Sequence, residues 1–202
     1  MKKQVYLYPI WVRVWHLINA LLFIALICTG LCLQYSGNPY TLIPFNYAVS
    51  IHNISGIVLI VGFVFYLVGN RFTSNGSYYQ FKLKGLIKRV VKQFRYYSFG
   101  IFKKEAPPYP ITKKRKFNPL QKLSYVIVMY FLMPIVIFTG LGLFFPDMLP
   151  SKIMGMSGLH LIDLIHIITG FALSIFMVVH IYFCTIGKTP LANFKSMING
   201  WH

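Results

Sequence analysis

The stretch HIITGFALSIFMVVH, residues 166–180, carries no charge and is dominated by large apolar side chains, yet it has a histidine at each end. On an α-helix fourteen residues make nearly four turns. The two imidazoles then point within roughly 40° of one direction while standing about 21 Å apart along the axis. One metal ion cannot be held by both. If they bind anything, they bind two things at two depths.

The surroundings of this stretch set its environment. Charged residues make up 11% of the chain and hydrophobic residues 56%, against a charged share of about 25% in soluble domains. No charge falls between Arg13 and Arg71, between Lys122 and Asp147, or between Asp163 and Lys188. Such runs are long enough to cross about 30 Å of hydrocarbon, and four spans are expected, at about 14–34, 50–69, 122–145 and 160–186. The first follows basic residues as a signal peptide does, but it runs to about Leu33, too long for a signal h-region and without a small-residue cleavage site, so it is read as a span.

The net charge of +17 is one of topology. Fourteen of twenty Lys and Arg lie from Arg71 to Lys122, three in the first thirteen residues and two near the C-terminus; only Lys152 falls in an expected outer loop. This is the positive-inside bias of a cytoplasmic face, reinforced by attraction to anionic membrane lipid, and no nucleic-acid partner is expected. Both termini are then cytoplasmic and residues 1–202 form a single membrane domain. The outer loops carry turn chemistry, SGNPY at 36–40 and FPDMLPSK at 145–152. Within the basic cytoplasmic loop 71–121, the segment 84–97 places Leu86, Ile87, Val90, Val91 and Phe94 on one face, as an interfacial helix would. The proline-rich remainder is read as irregular. Cys28, Cys32 and Cys184 form no CxxC or CxxCH arrangement, so covalent haem attachment has no support.

A repeat is visible: ICTGLCL closes span 1 and IFTGLGL closes span 3, while HNISG opens span 2 and HIITG opens span 4. The chain reads as two helical hairpins. Sorted by depth, the intramembrane histidines form two pairs, His16 with His180 on the inner side and His52 with His166 on the outer side. Each pair joins two helices, as bis-histidine ligation of two haem irons requires. Gly56 and Gly170 follow the outer histidines by one helical turn, where a porphyrin plane needs a side chain removed; Gly30 and Gly140 could open the same space from spans 1 and 3, although such glycines also serve helix packing. His160 is read as a boundary residue and His202 as a frayed end. Asp163 either hydrogen-bonds His166 or is a solvated helix-start residue. Arg13 either pairs with an inner-haem propionate or simply flanks the span.

On these residues, and on WHLINALLFIALICTG, FNPLQKLSYVIVMYFLMPIVIFTGLGL and the segment from His166 to Met197, the chain resembles the prokaryotic di-haem cytochrome b subunits that anchor formate dehydrogenase, nickel–iron hydrogenase and thiosulfate reductase. The resemblance implies an all-α integral membrane four-helix bundle with two stacked haem b groups in the bacterial inner membrane, ligated by the same two histidine pairs. It also implies a quinone site (menaquinone or ubiquinone) at the cytoplasmic edge, for which KFNPLQK offers Asn118 and Gln121; a capping role for Asn118 and Pro119 is the alternative. The basic loop is longer than in the formate dehydrogenase anchors, which bears on docking of a partner. The expected function is electron passage between quinone and a catalytic, iron–sulfur or cytochrome subunit on the periplasmic face. Two other readings stay open: a histidine-containing transporter or metal channel without haem, and a stand-alone transmembrane haem reductase.

Overall fold

The computed structural model describes residues 5–37, 42–80, 82–187 and 189–202. Four helices in it are long and apolar enough to span a membrane: α1 (Ile10–Gln34), α2 (Phe45–Phe72), α4 (Pro119–Phe144) and α5 (Gly158–Thr185). Two shorter ones, α3 (Leu86–Arg95) and α6 (Ala192–Asn199), lie between and after them. All four spans begin a few residues before their expected starts, and in three of them proline sets the start. Pro9 and Pro44 stand just before α1 and α2, and Pro119 occupies the first turn of α4, where its missing N–H costs nothing.

Each hairpin packs on itself, α1 on α2 and α4 on α5, and the hairpins meet through α2 and α4. The core between them is built from Leu59, Phe63 and Tyr66 of α2, Val128, Met129 and Met133 of α4 and Leu173 of α5. The outer faces carry exposed Leu21, Val61, Phe138 and Phe171, the mark of helices whose solvent is lipid. The protein is an all-α, four-helix membrane bundle.

Helix α4 is interrupted. Residues Val128–Leu132 form a π-turn, for which Pro134 supplies the cause: it has no N–H to donate to residue 130, and its ring crowds that carbonyl. The sequence reading took this span as one regular helix.

The expected outer turn at 36–40 falls largely on residues 38–40, outside those described. The second outer loop contains a short 3₁₀ turn at Pro146–Met148 and a hairpin, β1 (Lys152–Ile153) and β2 (Met156–Ser157). Met154 and Gly155 both have positive φ there, as a two-residue hairpin of matching twist demands. At the opposite end, called inner because it carries the basic segment, the termini are joined. Val5 and His202 exchange backbone hydrogen bonds of 2.9 and 3.0 Å, and Leu7 N–H donates to Gly200. His202 is therefore tied into a bridge, not frayed. Gly200 makes the turn at φ 86°, and a Cβ there would come within 2.5 Å of the Tyr6 ring.

Helix α3 is shorter than the expected 84–97 and runs into a π-turn at Tyr96–Gly100. Its Gln93 is buried while Ile87, Val91 and Phe94 are exposed, so part of the apolar stripe faces away from the bundle. The proline-rich remainder holds one regular feature, a bridge between Thr112 and Arg115.

Candidate functional site

The four intramembrane histidines come together in twos. His16 of α1 and His180 of α5 have ring centres 6.1 Å apart with planes at 57°; His52 of α2 and His166 of α5 stand 6.3 Å apart at 71°. A bond from imidazole nitrogen to a first-row metal is about 2.0–2.1 Å and the ring adds about 1.1 Å, so two imidazoles on opposite sides of one ion sit about 6.3 Å apart, centre to centre. Both separations fit an intervening iron. They do not fit direct hydrogen bonding between the rings.

The outer pair is oriented by a device the sequence reading missed. His52 Nδ1 lies 2.9 Å from Thr29 Oγ1, and His166 Nδ1 lies 3.0 Å from Thr139 Oγ1. Each threonine hydroxyl already donates its proton to the carbonyl four residues back, Ala25 at 2.7 Å and Ile135 at 2.8 Å. The hydroxyl must therefore accept from Nδ1–H, which leaves Nε2 bare and available to a metal. Thr29 and Thr139 belong to the repeated ICTG and IFTG motifs and are buried. The signal was visible as a repeat, but nothing local connects Thr29 to a histidine 23 residues away.

The glycines divide into two classes. A Cβ on Gly56 or Gly170 would meet no heavy atom within 4 Å. Beside the outer imidazoles, those positions leave open space. Gly30 and Gly140 behave otherwise. A Cβ there would lie 3.5 Å from His52 Cε1 and 3.1 Å from His166 Cε1. At Gly140 the absent side chain lets the His166 ring come close, whereas at Gly30 a Cβ would make only ordinary contact with His52.

Around the inner pair the neighbours are aromatic. Phe176 stacks on His180 at 5.6 Å, and Tyr125 approaches it edge-on, its hydroxyl 3.5 Å from Nδ1. Cys184 Sγ lies 3.8 Å from His180 Nε2. The helix end just beyond is held by Asn193, whose amide donates to the carbonyls of Cys184 and Ile186, both at 3.1 Å. Tyr125 in turn packs on Phe117 at 5.0 Å, linking His180 to the start of α4.

At that start, Asn118 and Gln121 form a capping box. Asn118 Oδ1 accepts from Gln121 N–H at 2.9 Å, and Gln121 Oε1 accepts from Asn118 N–H at 3.2 Å. The Asn118 amide also donates to Tyr97 Oη at 2.8 Å. The capping alternative is thus what these side chains do here, and one Asn118 amide hydrogen is left over. Arg13 is likewise engaged, donating to the Ile198 carbonyl and joining α1 to α6. Asp163 is exposed, and Thr139, not Asp163, partners His166. His160 lies in the first turn of α5, also exposed.

Among the described residues, no three His, Cys, Asp or Glu side chains cluster as an ion cage would require. The donor set is two isolated imidazole pairs in apolar surroundings, which suits haem iron.

Comparison with known proteins agrees. A protein of Escherichia coli (strain K12) described as "Putative cytochrome YdhU" is 36% identical over 200 residues, covering 99% of this chain and 75% of the relative. The family model for prokaryotic cytochrome b561 matches residues 7–200. This chain belongs to the prokaryotic cytochrome b561 family, haem b electron-transfer proteins that cross the bacterial inner membrane several times.

Proposed function

We propose that this chain is a di-haem, membrane-anchoring subunit of a respiratory oxidoreductase. In this reading it passes electrons between the quinone pool, menaquinone or ubiquinone, near the cytoplasmic face and a catalytic, iron–sulfur or cytochrome subunit on the periplasmic face. The single observation that carries the reading is the presence of two imidazole pairs at two depths, with ring separations of 6.1 and 6.3 Å.

Haem, when bound, supplies one-electron exchange at its iron. The chain supplies the rest. His16 and His180 hold the inner group, and His52 and His166 hold the outer one. Thr29 and Thr139 fix the outer imidazoles in the tautomer that leaves Nε2 free. Gly56 and Gly170 keep a macrocycle's space clear of side chains. Two imidazoles on one haem iron would leave no open coordination position, which favours conduction over small-molecule chemistry. The histidines contributed by α5 are separated by about 21 Å along its axis, so they would hold two groups and not one. The turn at Asn118 and Gln121 reaches His180 through Phe117 and Tyr125, and the spare Asn118 amide hydrogen can donate to a quinone carbonyl there.

The test is optical. A reduced-minus-oxidised spectrum with pyridine haemochromogen quantitation should give two b haems per chain. His166→Ala should remove one spectral component and His180→Ala the other. Loss of the same component in both variants, or a single haem in fully loaded protein, overturns the pairing. A channel or transporter would show no Soret band.

A further inference from the structure

Lys116 is a cation in an unexpected place. Its side chain is 2% exposed, and Nζ donates to Asn75 Oδ1 at 2.7 Å. Three aromatic faces surround it, Tyr8 at 4.6 Å, Tyr78 at 5.5 Å and Phe117 at 5.6 Å. Burying a cation without a counter-ion is costly, and cation–π contact offsets only part of that cost.

Lys116 lines a cavity of about 350 Å³ together with Lys113, Lys114, Arg115 and Lys122, and with the hydroxyl-bearing Ser77 and Tyr78; no carboxylate lines it. The wall is preorganised. Thr112 and Arg115 exchange two backbone hydrogen bonds of 3.0 Å, which holds Lys113 and Lys114 at the tip of a two-residue turn. Tyr78 Oη donates to the Lys113 carbonyl at 3.0 Å and pins that turn to the segment after α2. Lys122 Nζ is steadied by the Gln80 carbonyl at 3.0 Å.

We propose that this cavity is a binding site for a phosphate-bearing anion, presented as the headgroup of an acidic membrane lipid. Five cations converge on one concave space, and charge-assisted hydrogen bonds from lysine and arginine to phosphate oxygens are among the strongest a protein can offer. Lys122 stands in the first turns of a membrane-spanning helix, which sets the cavity at headgroup level; a free phosphate would use the same donors without needing that position. No histidine lines the cavity. Its ligand supplies the negative charge that the chain, with three acidic residues in all, does not.

Native mass spectrometry of the purified protein in detergent tests this, with phosphatidylglycerol, phosphatidylcholine or inorganic phosphate added at equal concentration. Phosphatidylglycerol should be retained about tenfold more than phosphatidylcholine. Lys116→Met should abolish that preference. Should that variant fold poorly, the double variant Lys113→Gln, Lys114→Gln, altered only at exposed positions, should lower the preference several-fold. Lys88→Gln, Lys92→Gln removes the same charge from exposed positions on α3 and should leave it unchanged. An equal loss in the α3 variant would show a diffuse basic field and overturn the site. So would an unaltered preference in the cavity variants. Displacement of lipid by inorganic phosphate at equal concentration would assign the cavity to the free anion and refute the lipid assignment.

Discussion

At the scale of single residues, the orienting threonines matter as much as the histidines they hold. A ligating imidazole whose second nitrogen loses its acceptor can turn or take the wrong tautomer, and such losses typically cost about 10–100-fold in metal affinity. Thr29→Val and Thr139→Val should each weaken haem retention at the outer pair by about that factor, while Thr→Ser, which restores the hydroxyl, should recover it. Haem titration into the stripped protein measures both, and wild-type affinity in the valine variants would remove the threonines from the site. The histidine pairs were legible from depth alone because helical rise is fixed and each span is anchored by its flanking charges. The threonines were not, since their meaning arises only across a hairpin. Lys116 was hidden for a related reason. In the sequence it is one cation among many in a basic loop, and only the packing of Tyr8, Tyr78 and Phe117 around it sets it apart.

Among the elements, α4 carries the most information per residue. Its π-turn inserts a residue relative to regular helix, which rotates one half against the other by about 100°. The outer half presents Thr139 to His166, and the inner half presents Tyr125 to His180. Pro134→Ala removes the ring that crowds residue 130 and restores the missing N–H. The expected result is a shifted potential or spectrum for the inner haem with the outer one unaltered, read by redox titration of the two components. Equal disturbance of both, or of neither, would show that the turn does not depend on Pro134. Hydropathy reveals the span but is blind to this phase change, because every residue in the turn is apolar. The basic segment also hides its order from pattern reading: α3 buries polar Gln93 against the bundle and turns Ile87, Val91 and Phe94 outward, the reverse of an ordinary surface helix.

For the molecule as a whole, charge distribution links folding to pH. Burial pushes the Lys116 ammonium down from its ordinary 10.5 to about 8. The groups facing it are the Asn75 amide, the Tyr8, Tyr78 and Phe117 rings, and the cations that share its cavity. Between those two pH values the unfolded chain keeps a proton that the folded chain has released, so stability rises with pH across that window and is flat below it. Thermal unfolding midpoints in detergent, compared between wild type and Lys116→Met, should show that rise in the wild type alone; a fall, or identical profiles, would contradict it. The four spans and their order were legible because apolar length and charge placement are whole-chain properties. The joining of Val5 to His202 was not, as two short terminal segments carry no pattern that announces a partner. One last consequence belongs to the repeat. The outer pair draws a threonine–glycine motif and a histidine–glycine motif from each hairpin, so two copies of a single ancestral hairpin could assemble it by symmetry. The inner pair could not arise that way. Counted from the glycines, Val126 stands where His16 does and Tyr66 where His180 does. The inner pair takes one histidine from each hairpin, at positions the other hairpin does not repeat.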